Sequence, residues 1–215
     1  MSSGWITGAG FGTKGLNSSL FDKNISLRRS EQPSPENPMV LEWLKAVQDN
    51  ASPDGILLPS NGINHSIAST YDNSLVAMAF MLKGERERAE RILDFYANAT
   101  NICNRDPELQ NFFYKGEARG FFQQVAIENI TASSREVKAY HVYGPSDRWL
   151  GDMCWLMLAY KYYEKKYDSQ KYDRVECLLT GLLLSWYNST GGYIESGWRK
   201  NGTLVDAHLH EKNKD

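Results

Sequence analysis

With 215 residues, 41% of them hydrophobic and 23% charged, the chain suits one globular domain with a full core, or a large piece of a bigger protein. A formal charge of −2 leaves no basic footprint and argues against a nucleic-acid partner. No apolar stretch reaches membrane-spanning length, and the N-terminal residues carry no signal-peptide core, so neither a membrane span nor a leader is expected.

Three cysteines, Cys103, Cys154 and Cys177, show neither metal-type spacing nor a disulfide framework, and the latter two are read as buried thiols within apolar runs. Asn17, Asn24, Asn50, Asn64, Asn98, Asn129, Asn188 and Asn201 each begin Asn-X-Ser/Thr. Chance supplies roughly two such sequons in a chain of this length. The excess points to an extracytoplasmic protein, although an organism rich in Asn and Ser would give the same count.

In chain order, residues 1–37 read as an irregular arm rich in Gly, Ser, Asn and Pro, followed by a domain over residues 38–215. A first helix runs from Pro38 to about Gln48, with Pro38 suited to the first helical position. The loop over residues 51–69 holds the turn signals Pro53-Asp54-Gly55 and Asn61-Gly62. Ser69-Thr70-Tyr71-Asp72-Asn73 then opens a second helix that ends at Leu82, before the tight break Lys83-Gly84-Glu85. A third helix runs from about Glu85 to Asn98 and is plainly amphipathic, with Ala89, Ile92, Leu93 and Tyr96 at helical spacing.

The connection over residues 99–146 is too long to be structureless in a compact domain. Within it Gly120 to Ala126 and Val137 to Tyr143 alternate as strands do, which predicts a small β-hairpin. A fourth helix spans about Asp147 to Tyr163, opened by Ser146-Asp147-Arg148-Trp149, and a fifth spans about Gln170 to Trp186. A loop over residues 187–210 then leads to His208-Leu209-His210-Glu211, where a third helix of the same kind would begin.

The second and fourth helices are apolar on every side, whereas the third is amphipathic. Apolar runs of this length belong inside protein rather than lipid, so the pattern describes inner helices alternating with outer ones. The fold class expected is all-α: an α/α toroid or an arc of one, with the β-hairpin as an excursion. Long loops precede the inner helices and short ones follow them, which puts the three polar and aromatic junctions on one face.

Two stretches also resemble a known group. Thr70-Tyr71-Asp72-Asn73-Ser74-Leu75, continuing through Lys83-Gly84-Glu85 to Ile92-Leu93-Asp94-Phe95, is similar to one helical hairpin of the six-hairpin glycosidase superfamily. Gly144-Pro145-Ser146-Asp147-Arg148-Trp149-Leu150, followed by Tyr160, Tyr162-Tyr163 and Tyr172, resembles the next hairpin. Gly191-Gly192-Tyr193 and Glu211 to Asp215 resemble the approach to a third. The resemblance covers residues 38–215, about half of a full toroid, and implies a protein that cleaves or remodels glycans at the inner-helix N-termini. Asp147-Arg148 departs from the neutral pair that many relatives carry.

Glycoside hydrolysis needs two carboxyl groups flanking the scissile bond. Asp72, Asp147 and Glu211 are the candidate catalytic acids. Tyr71, Arg148, Trp149, Tyr193, Trp198, His208 and His210 are the candidate substrate-binding residues, because rings stack on sugar faces while Arg and His bond hydroxyls. An acid in a first helical turn also serves as a cap against the positive dipole end, so each acid has a purely structural alternative. Glu195, Asp206 and Glu117 are further acids in loops. A His-X-His pair alone does not make a metal site, and no Walker-type loop, dinucleotide fingerprint or nucleophile elbow is present, so neither metal nor cofactor is expected.

The expected function is therefore a glycoside hydrolase-like, carbohydrate-active protein working on an oligo- or polysaccharide. The alternatives are a non-catalytic helical-repeat module that binds a glycan or protein, and a polysaccharide lyase or sugar epimerase on the same scaffold. An arc of helices leaves an apolar flank open, which predicts self-association or a missing C-terminal half that completes the ring.

Overall fold

The computed structural model describes residues 38–51, 54–60, 67–101, 112–127, 148–198 and 204–205. All of these fall in the second of the chain's two units, Pro38–Asp215; the first, Met1–Asn37, and with it the expected arm, lies outside the described residues. In chain order the elements are α1 (Pro38–Ala51), β1 (Ile67–Ser69), α2 (Thr70–Leu82), α3 (Arg86–Ala99), β2 (Phe113–Tyr114), β3 (Glu117–Ala118), β4 (Gln124–Ala126) and β5 (Arg148–Trp149). They continue with α4 (Leu150–Tyr167), α5 (Asp173–Ser185), β6 (Tyr187–Asn188), β7 (Tyr193–Ile194), β8 (Gly197–Trp198) and β9 (Leu204–Val205). The described residues are mostly helical, with short strands, as the all-α class requires. None of their helices is long and apolar enough to cross a membrane.

The core forms where α2, α3, α4 and α5 meet. Thr70, Asn73, Ser74, Ala77, Phe80 and Met81 of α2 are buried, a stripe at helical spacing. Met153, Leu156, Ala159, Tyr160 and Tyr163 make the matching stripe on α4. Phe112, Phe121 and Phe122 complete the same cluster from the segment between α3 and β4. Each large apolar side chain buried this way contributes about 1.5–3 kcal/mol.

The break after α2 is a Schellman cap. Gly84, at φ +82°, lets Glu85 N donate to Phe80 O (2.9 Å) and Gly84 N to Met81 O (3.1 Å), so α3 folds back antiparallel on α2. Asp168, left-handed at φ 47°, ends α4 in the same spirit and returns the chain as α5.

Two sets of contacts fix the direction of α2 against α4. At one end the Tyr71 ring meets Trp155 edge-on at 5.8 Å. At the other, Arg86 Nη2, just beyond α2, donates to Tyr163 Oη at 2.7 Å and the guanidinium lies over Tyr167. The two apolar helices therefore run parallel, with neighbouring N-termini. Outer-layer polar bonds hold the far end: Tyr160 Oη donates to Leu93 O (2.8 Å), Tyr172 Oη to Asp94 (2.8 Å), and Lys171 binds both Glu90 and Asp94. On α1, Gln48 is buried and donates to Ile56 O and Arg88 O, and Asp49 pairs with Arg88.

Several expectations need correction. The fourth helix begins at Leu150 rather than Asp147, because Arg148 and Trp149 are drawn into a ladder with Trp198 and Gly197. It runs on to Tyr167, where Tyr163 and Tyr167 stack with each other and with Arg86. Strand β4 pairs with β1, inside the stretch expected to be loop; residues 137–143, its expected partner, lie outside the described residues. The hairpin that the long connection does show is β2–β3. Neither α2 nor α4 is covered on every side: Leu82 is 65% and Leu158 is 52% exposed. Cys177 is exposed on the outer side of α5 and Cys154 is only half-buried, so neither is a fully buried thiol.

The three-stranded sheet β5-β8-β9 pins the start of α4, since Leu150 N also donates to Ser196 O at 2.8 Å. At Gly197 an added Cβ would sit 2.2 Å from Arg148 O, a backbone atom that cannot yield without opening the seam. Replacing Gly197 by Ala is expected to cost about 3 kcal/mol, at the upper end of overpacking effects, read as a lower urea midpoint at unchanged slope.

Candidate functional site

At the paired N-termini, the first turn of α2 carries backbone N–H groups with no partner inside the helix. Thr70 N donates to Gln123 O at 2.9 Å, and Asp72 N donates to the Ser69 hydroxyl at 3.3 Å. The Tyr71 backbone favours the charged form of the Asp152 carboxyl on α4. A carboxyl of α4 thus responds to the start of α2, and it feels the charge of Asp72.

Asp152 is the group that the sequence reading missed. It is only 6% exposed, and burial, joined by the charge of Asp72, pushes its carboxyl up to about 7 against the pull of the Tyr71 N–H. Asp72 is half-buried, nearer to solvent. The signal was present in the chain: an isolated acid inside the apolar run Leu150 to Tyr160, three residues into a helix.

Aromatic rings surround the pair. Tyr71 is 39% exposed, and Trp155, against which it packs, is half-buried. Trp149 is half-buried and donates from Nε1 to Oε1 of the exposed Gln123 at 3.2 Å. Tyr96 of α3 is fully buried, and burial, with the charges of Asp152 and Asp72, raises its hydroxyl above the ordinary tyrosine range.

The structure therefore brings together Asp72, Tyr71 and Trp149 of the expected residues. Arg148 and Trp198 go to the interior instead. The Arg148 guanidinium lies 4.2 Å from the Phe122 ring centre and 5.1 Å from that of Trp198, and Nε donates to Gly120 O at 2.6 Å. Both side chains are essentially fully buried, so they shape the floor under α4 rather than meet a ligand. Tyr193 is half-buried in the β6–β7 hairpin, where its hydroxyl accepts from Asn188 Nδ2 at 3.1 Å. Asp147, His208, His210 and Glu211, with the third junction, lie outside the described residues, as does Asp206. Of the other loop acids, Glu195 is buried, and Glu117 pairs with Arg119 on an exposed hairpin.

Magnitudes weigh against Asp152 as a cap alone. A carboxyl moved from its ordinary 3.8 to about 7 costs roughly 4 kcal/mol of stability at neutral pH, more than the ~0.3–2 kcal/mol that a helix end returns. Asn would accept the Tyr71 N–H equally well without that cost. Comparison with protein-family models, curated proteins and solved structures gives no match for the chain.

The pH dependence follows from the direction of the shift. The unfolded chain releases the Asp152 proton near pH 4 and the native one near 7, so this contribution is complete below pH 4 and lost as pH rises through 7. Asp152→Asn is expected to leave stability at pH 4 unchanged and raise it by about 2–4 kcal/mol at pH 8. Urea unfolding of both proteins across that range measures the difference; equal curves would show that Asp152 does not hold its proton in the native state.

Proposed function

We propose that this protein is a glycoside hydrolase-like, carbohydrate-active protein whose acid pair is Asp152 and Asp72. The observation that carries the reading is a buried carboxyl, Asp152, whose pKa burial and the charge of the more accessible Asp72 push up to about 7, at helix starts that also carry Tyr71, Trp149 and Trp155. Asp152 in its acid form would give its proton to the glycosidic oxygen as the bond to the anomeric carbon breaks. Asp72 would activate a water or attack that carbon itself, according to the separation that the bound sugar imposes. The three rings supply stacking faces, and the exposed Gln123 can bond sugar hydroxyls.

The helices support the reading in a second way. A parallel pair, α2 and α4, each followed by an antiparallel partner, is the repeat from which an arc of an α/α toroid is built. Leu82 and Leu158 lie exposed on the inner helices, as they would where such an arc leaves a flank uncovered.

The test is product analysis of the full chain on a panel of oligo- and polysaccharides. Asp152→Asn and Asp72→Asn should each lower turnover by about 10²–10⁴-fold, the usual share of a general acid or base. Activity should fall as pH rises through about 7, where Asp152 loses its proton. Full turnover by a folded variant would remove that residue from the mechanism. Glycan binding without cleavage, unaffected by either change, would favour the non-catalytic module.

A further inference from the structure

An open cavity of about 290 Å³ lies where α5 ends and the β6–β7 hairpin begins, lined by Ser185, Trp186, Tyr187, Asn188, Ser189 and Glu195. Neither the acid pair nor its rings take part in it. The hairpin holds its walls. Asn188 Oδ1 accepts from Thr190 N (3.1 Å) and Gly191 N (3.0 Å), its Nδ2 donates to Tyr193 Oη (3.1 Å), and Glu195 N donates to Trp186 O (2.9 Å). Glu195 is only 8% exposed, yet it has no ion-pair partner among the described residues. Its Oε1 takes a long bond from Asn188 Nδ2, at 3.4 Å, and its Oε2 takes none. The last turn of α5 carries no basic residue, so the negative end of that helix is also left without a cation. A buried carboxylate short of donors is costly, and such a group calls for an ion or ligand that completes it.

We propose that this cavity binds a small organic ammonium ion, whose protonated amine pairs with Glu195 and whose apolar body lies along Tyr187. The volume is at the small end of ligand cavities, which suits a molecule of a few heavy atoms. An ammonium group brings three donors and a positive charge, the two things that Glu195 and the end of α5 lack. Ser185 gives its hydrogen to Leu182 O at 2.6 Å and keeps lone pairs with which to accept a second N–H. Beside the cavity, Tyr187 and Ile194 are partners across the hairpin, 51% and 40% exposed, and offer an apolar surface for the rest of the molecule. A hard metal ion fits less well, because it needs about six oxygen ligands or more, and no group of three metal-binding side chains gathers among the described residues. The site goes beyond the glycosidase reading and stands or falls without it.

The experiment is an NMR titration of the full chain with butylammonium chloride, butanol and potassium chloride in turn. It follows the indole N–H of Trp186, a cavity residue whose Nε1 has no hydrogen-bond partner. Butylammonium should shift that signal saturably. Glu195→Gln should weaken the binding at least about tenfold, the share of one hydrogen bond to a charged group, and butanol and potassium should bind the wild type more weakly by a similar factor. No saturable shift with butylammonium overturns the proposal. Equal binding of butanol would reveal a merely apolar hole, and equal binding of potassium an inorganic cation site; either result also overturns it. So does a Glu195→Gln protein that binds butylammonium as the wild type does. Should Glu195→Gln fail to fold, the contrast between butylammonium and butanol on the wild type decides alone.

Discussion

The parallel packing of α2 on α4 is the constraint on which the rest of the structure depends. Helices that run side by side in the same sense bring like dipole ends together, positive at the N-termini and negative at the C-termini. Each end then recruits opposite charge. Asp72 and Asp152 collect at the first, while Arg86 beside Tyr163 and Tyr167, with Lys165 and Lys166 in the last turn of α4, collects at the second.

The two ends resolve their charges differently. At the C-terminal end, Glu90 is partly buried, which would raise its carboxyl, but donors from Tyr163, Arg86 and Lys171 win and hold it at about 2. That contribution is present above its ordinary pH of about 4.5 and is lost as pH falls toward 2. Asp152 has one backbone donor and a like charge beside it, and its contribution is lost in the opposite direction, as pH rises. One end is a closed, neutralised network. The other keeps an uncompensated acid, and proteins retain such groups chiefly where chemistry uses them.

The helical hairpins were legible in the sequence because their signals are local. Lys83-Gly84-Glu85 announces a turn, and the spacing of Ala89, Ile92, Leu93 and Tyr96 announces the buried face of α3. What failed was everything set by distant partners. Arg148 read as a substrate-binding residue at a helix start, yet two aromatic faces and a carbonyl, all remote in sequence, draw it inside. Strand β1 read as loop because its partner, β4, lies more than fifty residues away. Asp152 was hidden for a subtler reason. A helix-start acid serves as a cap in any context, and it is burial, joined by the charge of Asp72, that pushes this one up to about 7.

The segment from Gly120 to Gln123 then explains how the starts of α2 and α4 stay in register. Gly120 O takes the Arg148 side chain just before α4, and Phe122 O takes the Thr70 hydroxyl at the start of α2. Gln123 reaches both junctions by itself: its backbone oxygen accepts from Thr70 N, and its side-chain oxygen accepts from Trp149. Arg148 suits this task better than Lys would, since a planar guanidinium can stack on two rings while its Nε still donates within the ring plane. The buried Arg148, with the Thr70 hydroxyl and Gln123, thus ties the starts of α2 and α4 to one short segment of backbone.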